Sequence, residues 1–145
     1  MTIQAGLSAT AADQLQIHNA SGYLRLATAA SLAVTSTVLA APTQNYNLVT
    51  CTTPATVTSI LTTNVADGSV LVLRLGTITD EVTFTDTAVP TAGQLALAGN
   101  FTMNGADASL TLICVTQSSV TYWVELARTP GMTVGKVIAL SMIFS

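Results

Sequence analysis

A chain of 145 residues is long enough to bury the core of one domain, or of one domain with an arm. Charged residues make up only 8% of it, against roughly 25% in ordinary soluble domains, and hydrophobic residues make up 50%. The four basic residues are scattered and the net charge is −3, which argues against a nucleic-acid partner. We also expect no membrane span and no signal peptide, because no segment reaches roughly 20 predominantly apolar residues and the N-terminus lacks a basic region.

The low charge bears on self-association. Charged side chains normally help to keep a small soluble domain monomeric. With four basic and seven acidic residues, little opposes association, so we expect other subunits to cover much of the surface. Thr, Ser, Asn and Gln could instead keep a monomer soluble, and composition alone leaves both alternatives open.

Residues 1–45 differ from the rest of the chain. They are rich in Ala, Ser, Thr and Leu, and their apolar residues alternate poorly. Ile3, Leu7, Ala11 and Leu15 recur every four residues, which permits one short helix, and an extended arm fits equally well. We therefore predict an N-terminal arm over residues 1–45 that is extended or partly helical.

From Tyr46 onward the sequence alternates between short strands and turn residues. Asp67-Gly68 and Asn104-Gly105 are clear turns, because such pairs favour the positive φ angles of tight turns. Regularly spaced short strands predict a mostly β domain over residues 46–145, an antiparallel β-sandwich or barrel. The candidate strands are 47–53, 55–62, 69–75, 81–85, 94–98, 101–103, 109–116, 119–128 and 134–144.

Few residues of the types that usually carry chemistry are present. His18 is the only histidine and has no partner at metal-ligand spacing. Cys51 and Cys114 form no CxxC motif and fit core thiols better than a metal site. No phosphate-binding glycine motif is present. We therefore expect no metal and no cofactor.

The acidic residues Asp80, Glu81 and Asp86 are the best candidates for catalysis. A glycosidase needs two carboxylates about 5–10 Å apart across the scissile bond. On the strand predicted there, Glu81 lies opposite the apolar face of Val82 and Phe84, and the two aspartates flank the strand at turns. A solvated face and two turns account for all three acids, so an enzyme is not predicted.

The segment 119–128 holds the only tryptophan, beside one acid and one base. Strand alternation separates Trp123 and Glu125 from the opposite face, which is uniformly apolar and is predicted to face the core. That face holds Val120, Tyr122, Val124 and Leu126. Arg128 has the opposite parity to Glu125, so the two are predicted not to pair with each other. Trp123 could lie in a two-sheet core, contact another subunit, or stack on a sugar.

Five features between residues 67 and 128 occur in a characteristic order: DGSVLVLRL, the VTF of residues 82–84, GQLALAGNFTM, ASLTLICV and YWVELAR. This order resembles a β-module that recurs in tailed-bacteriophage virion proteins, including fibre, spike and capsid decoration proteins. In that module the closing strand ends in a Trp-x-Glu-x-x-Arg arrangement, which Trp123, Glu125 and Arg128 match.

The resemblance implies a non-enzymatic structural protein that assembles as a homotrimer. The chain lacks the long repeats and heptads of fibre proteins, which favours a capsid decoration (cement) protein that binds the major capsid protein on the virion surface after synthesis in the host cytoplasm. Under this hypothesis residues 1–45 contact the capsid or another subunit. The interface candidates are Trp123, Glu125, Arg128, Ile138, Leu140, Met142 and Phe144.

Two other functions remain open. A tail fibre or tail tip module would bind a host surface glycan, with Trp123 or Tyr122 as the stacking platform. An enzyme would use Asp80, Glu81 or Asp86.

Overall fold

The computed structural model describes residues 29–76 and 81–131, and every regular element in these two ranges is a strand. The predicted mostly β fold is therefore confirmed, and the described ranges hold no helix long and apolar enough to cross a membrane. The strands are β1 (Ala30–Thr35), β2 (Val38–Leu39), β3 (Tyr46–Thr50), β4 (Ala55–Val57), β5 (Ser59–Ile60), β6 (Val70–Leu75), β7 (Val82–Phe84), β8 (Leu95–Ala96), β9 (Phe101–Met103), β10 (Ser109–Gln117) and β11 (Val120–Thr129).

Eight strands form the main sheet, in the order β5-β2-β1-β3-β6-β10-β11-β8. Its two edges meet, because an isolated antiparallel bridge joins Ser59 of β5 to Gln94, which immediately precedes β8. At the same place the Ile60 N–H donates a hydrogen bond to the Gly93 carbonyl at 2.8 Å. The main sheet is therefore nearly closed into a barrel, which leaves little free edge for further strands to pair with.

The other three strands form a small sheet in the order β4-β7-β9. Its inward side chains belong to the same buried cluster as those of the main sheet, and they are Val57, Val82, Phe84, Phe101 and Met103. On its outer side, the hydroxyls of Thr83 and Thr102 are hydrogen-bonded at 2.8 Å. The domain thus has one core, enclosed by the main sheet and the small sheet together.

The strand directions differ from the predicted antiparallel arrangement. β6, β10 and β11 are antiparallel neighbours, whereas β3 runs parallel to both β1 and β6, and β8 runs parallel to β11. The prediction was wrong on this point because alternation of apolar and polar residues reports which face is buried, and carries no information on the direction of the neighbouring strand.

The sheet also begins earlier than Tyr46. β1 and β2 lie within the segment that was predicted as an arm, and β1 pairs with β3 from Ala30 opposite Asn47. Only Leu32 and Leu39 of these two strands are buried, since their other residues are mostly small or polar, and this explains the weak alternation. The possible helix around Leu7 and the predicted strand 134–144 lie outside the described residues.

The hairpin of β10 and β11 is the longest in the described ranges. Its two turn residues, Ser118 and Ser119, have φ angles of 51° and 66°. Two consecutive positive φ angles define a type I′ turn, which matches the twist of the strands that it joins. Asn-Gly usually occupies such a turn, so two serines there hold a costly conformation.

Candidate functional site

Trp123 lies in the core, which is one of the three alternatives considered for it, whereas the face of β11 that was predicted to form the core is only half-buried or exposed. Its side chain is 0% exposed, and it lies opposite Cys114 on the neighbouring strand β10. The indole Nε1–H donates a hydrogen bond to the Ile60 carbonyl at 3.1 Å. The face predicted as core is partly exposed, with Leu126 at 55%. The prediction was wrong because that face is apolar yet points outward, so hydrophobicity alone could not identify the inner face.

A β-bulge in β11 explains how Glu125 and Arg128 come together. Thr111 pairs with Ala127 but Leu112 pairs with Glu125, so Leu126 is an extra residue in the ladder. An extra residue shifts the alternation of the strand by one position. Glu125 and Arg128 therefore lie on the same face and form an ion pair, contrary to the prediction from their parity.

This ion pair holds the loop that joins β8 to β9. The Nε–H of Arg128 donates to Oε1 of Glu125 at 2.6 Å, and Nη2 of Arg128 donates to Oε2 of Glu125. Oε2 also accepts the Ala98 backbone N–H at 2.8 Å, while Nη2 donates to the Gly99 carbonyl at 2.9 Å. The guanidinium lies 4.9 Å from the centre of the Phe101 ring. We call this arrangement the Glu125–Arg128 clamp.

The electrostatics of the clamp favour both charged forms. The side chains of Glu125 and Arg128 are 11% and 24% exposed. The hydrogen bonds from Arg128 and then from the Ala98 amide lower the pKa of Glu125, although partial burial opposes them. The hydrogen bond to Glu125 raises the pKa of Arg128, as does the Asp86 charge. A carboxylate held in this way is fixed as an anion and is unsuited to general acid chemistry.

Asp86 fixes the other side of the same loop. Its Oδ1 accepts the Leu97 N–H at 2.8 Å, and its own backbone N–H donates to Oδ1 of Asn100 at 2.9 Å. Of the three candidate catalytic acids, Asp86 is thus occupied in holding this loop. Glu81 is exposed opposite the buried Val82 and Phe84, as predicted, and Asp80 lies outside the described residues.

Groups that could hold a metal are not assembled in the part of the chain that the structure describes. No cluster of three or more His, Cys, Asp or Glu side chains occurs within residues 29–76 and 81–131. Cys114 lies in the core, as predicted, where burial and the Asp67 charge raise the pKa of its thiol. Cys51 is half-buried, with its Sγ 4.0 Å from the Glu81 carbonyl, and His18 lies outside the described residues.

Two surface clefts are relevant to ligand binding. The larger, about 720 Å³, is lined by Ala33, Val34, Ser36, Thr37, Ala55 and the residues from Thr50 to Pro54, with Thr56. None of these side chains carries a carboxylate or a basic group. The smaller cleft, about 310 Å³, lies beside Tyr122, Val89, Pro90 and Gln117. The Tyr122 hydroxyl donates to Oε1 of Gln117 at 2.9 Å, which orients the ring.

Much of the outward side of four neighbouring strands is apolar, and this surface was not predicted from the sequence. Val124 of β11, Ile113 of β10 and Val70 of β6 form one cross-strand row, and Val115 pairs with Tyr122 in the next. We call this surface the outer face and define it by Tyr46, Leu48, Val70, Val72, Ile113, Val115, Tyr122 and Val124. The signal was present in the sequence, because both parities of these strands are apolar.

The interface candidates divide into three groups. Trp123 is buried within its own chain, so it is not available to another subunit or to a sugar in this structure. Glu125 and Arg128 are tied to their own loop. Ile138, Leu140, Met142 and Phe144 lie outside the described residues.

Comparison with known proteins adds no assignment. No protein family, no curated protein and no solved structure matches this chain.

Proposed function

We propose that this chain is a non-enzymatic structural protein of a tailed-bacteriophage virion, a trimeric capsid decoration protein that stabilises the mature shell. The observation that carries the proposal is the use of charged side chains as internal ties. A domain that commits most of its few charges to its own loops keeps few of them free on its surface, and such a surface suits permanent assembly.

The internal ties are made by five charged residues. Three carboxylates accept backbone N–H groups of other segments: Asp67 from Thr116 at 2.6 Å, Asp86 from Leu97 at 2.8 Å and Glu125 from Ala98 at 2.8 Å. The two described arginines donate to backbone carbonyls: Arg74 to Ala106 at 2.6 Å and Arg128 to Gly99 at 2.9 Å. Charges that hold loops in place contribute little to solubility or to a reactive centre.

The proposed mechanism is binding to one state of the shell. A decoration protein that binds capsomer junctions formed only on maturation stabilises the mature shell by mass action. Its partner would be the major capsid protein. Because residues 30–39 are committed to the main sheet, we assign the capsid-contacting role to residues 1–28. The apolar residues 136–144 are proposed to pack between subunits.

The test is the copy number of the chain in purified virions, measured by quantitative mass spectrometry against the major capsid protein. A copy number of the same order as that of the capsid protein supports the proposal, whereas a handful of copies per particle contradicts it. In a second arm, the chain lacking residues 1–28 is mixed with expanded shells. Shell binding equal to that of the full chain would contradict the assignment of the capsid-contacting segment.

The alternative is a tail fibre or tail tip module that binds a host surface glycan. The observation that favours it is the cleft beside Tyr122, where a partly exposed aromatic ring lies next to the polar Gln117 and Ser118. Aromatic faces with neighbouring hydrogen-bonding groups suit sugar rings. This function predicts binding on a glycan array that Tyr122→Ala abolishes and that a variant of the larger cleft, Thr56→Ala, leaves unchanged.

A further inference from the structure

We infer that the outer face is the surface through which the chain binds a second copy of itself. The inference deepens the proposed function and rests on it in one respect, namely that the working form is an assembly. It names the surface on which that assembly is built, which neither the fold nor the resemblance supplies.

The composition of the outer face is that of the centre of a protein–protein interface. Of its eight residues six are aliphatic and two are tyrosines, a type enriched in interfaces. Val70 is 37% exposed and the others are partly exposed, so the described residues leave this surface accessible. The neighbouring bulge residue, Leu126, is 55% exposed and extends the apolar surface.

The scarcity of charge on this surface argues against charged partners. Among the described residues of β3, β6, β10 and β11, the outward positions carry one charge, Arg74, and its guanidinium is already bonded to the Ala106 carbonyl at 2.6 Å. Nucleic acids and anionic lipid surfaces are bound by clusters of basic side chains. A charged protein partner would need complementary charges. An uncharged surface, such as the outer face of another copy of this chain, can bind without basic clusters and without complementary charges.

The size of the outer face fits the centre of such a contact. Its eight side chains, on strands about 4.8 Å apart and in rows about 7 Å apart, give an apolar patch of roughly 270 Å². With the neighbouring Leu126 it approaches the largest apolar patch of a typical monomer, and such patches often mark interaction sites. A standard interface buries about 800 Å² per partner and places a polar rim around an apolar centre. Thr50, Ser109, Thr111 and Gln117 lie at the margins of the patch, where such a rim would form.

The experiment measures the mass of the full chain by light scattering over a range of concentrations. We compare the wild type with Val70→Lys and Ile113→Lys, which place a charge in the central row of the outer face. Both positions are partly exposed, so the ammonium group can reach solvent without unfolding the strand. The matched control is Leu61→Lys, an exposed apolar residue that follows β5 and lies off the outer face. Near-ultraviolet circular dichroism of Trp123 verifies folding.

The expected result is a wild-type mass of two or three times 14.9 kDa. Both outer-face variants should associate at least tenfold more weakly, and Leu61→Lys should behave as the wild type. Folded outer-face variants that keep the wild-type mass would overturn the inference. A wild type that is monomeric at every concentration would also overturn it. In that case, increased binding of an apolar dye on deletion of residues 132–145 would identify the chain's own C-terminal segment as the occupant.

The same variants separate failure of this inference from failure of the virion role. A wild type that decorates shells, with variants that keep their oligomeric mass, overturns the outer-face contact and leaves the virion role standing. Outer-face variants that become monomers, in a protein with no affinity for shells and no place in virions, support the contact and contradict the virion role.

Discussion

Glu125→Gln tests whether the Glu125–Arg128 clamp stabilises the domain. The substitution keeps the shape of the side chain and removes its charge. The Glu125 carboxylate accepts three hydrogen bonds, two from Arg128 and one from the Ala98 N–H. In either orientation of the introduced amide, its NH₂ group would face at least one N–H donor. The variant therefore loses a charged pair and at least one hydrogen bond in the same place.

The expected loss of stability is about 2 kcal/mol. A hydrogen bond to a charged group is worth about 1.5–3 kcal/mol, and removing one partner of a fully buried pair costs about 3–5 kcal/mol. The cost of breaking the clamp should be smaller than that of a fully buried pair, because Arg128 is 24% exposed and keeps its hydrogen bonds to the Gly99 and Asn100 carbonyls. The expected loss therefore lies within the range for a single hydrogen bond to a charged group.

The assay is urea unfolding followed by far-ultraviolet circular dichroism, combined with hydrogen exchange of the Ala98 amide. We expect the midpoint to fall with an unchanged slope, and the Ala98 amide to exchange faster. Glu81→Gln is the matched control, since Glu81 is exposed, and it should change stability by less than about 0.5 kcal/mol. A double-mutant cycle with Arg128→Met should give a coupling energy of about 1–2 kcal/mol.

A loss below about 0.5 kcal/mol, with unchanged protection of Ala98, would refute the reasoning. It would mean that Glu125 and Arg128 form an ordinary surface ion pair, whose worth is small because solvent screens it. The bulge would then have no role in stabilising the loop between β8 and β9.

Three further predictions concern stability. The folded-state pKa of Glu125 is lowered, so its contribution to folding stability is complete above about pH 4.3 and is lost as the pH falls below that value. The thermal midpoint should therefore drop in acid less steeply in Glu125→Gln than in the wild type. Trp123→Phe should cost about 2–3 kcal/mol in urea unfolding, because it leaves the Ile60 carbonyl without its donor and opens a cavity. Ser119→Gly should raise the unfolding free energy by about 0.5–1 kcal/mol, because Ser119 has a φ of 66°, and an unchanged thermal midpoint would contradict it.

From Tyr46 onward, most of the described strands could be predicted from the sequence to within a few residues. β1 and β2 were missed, and the predicted strand 55–62 is divided into β4 and β5, which belong to different sheets. The predicted 109–116 and 119–128 became β10 (Ser109–Gln117) and β11 (Val120–Thr129), and 101–103 became β9 unchanged. These strands are bounded by turn residues and contain β-branched and aromatic side chains, which are local signals. The burial of Val82 and Phe84 on one face of β7 was also correct, because Glu81 and Thr83 give that strand a polar side.

The pairing of the strands could not be predicted, because it depends on contacts between distant segments. The parallel pairing of β3 with β6 spans β4 and β5, and the bridge from Ser59 to Gln94 closes the main sheet between two segments that lie far apart in the chain. Nothing local in either segment specifies its partner. The inner face of β11 was also ambiguous, because Tyr122 and Val124 are as apolar as a core requires and yet point outward.

The bulge links this ambiguity to the chemistry of the domain. One extra residue, Leu126, brings Arg128 to the side of Trp123 and Glu125 and leaves its own side chain exposed. The strand therefore directs its charges inward, to hold a loop of its own chain, and its aliphatic side chains outward. This is the reverse of the usual arrangement in a monomeric domain, where charge faces solvent. The low charge of the whole chain also weakens the repulsion between copies. Both features favour a protein whose outer surface is covered by a second copy of the chain.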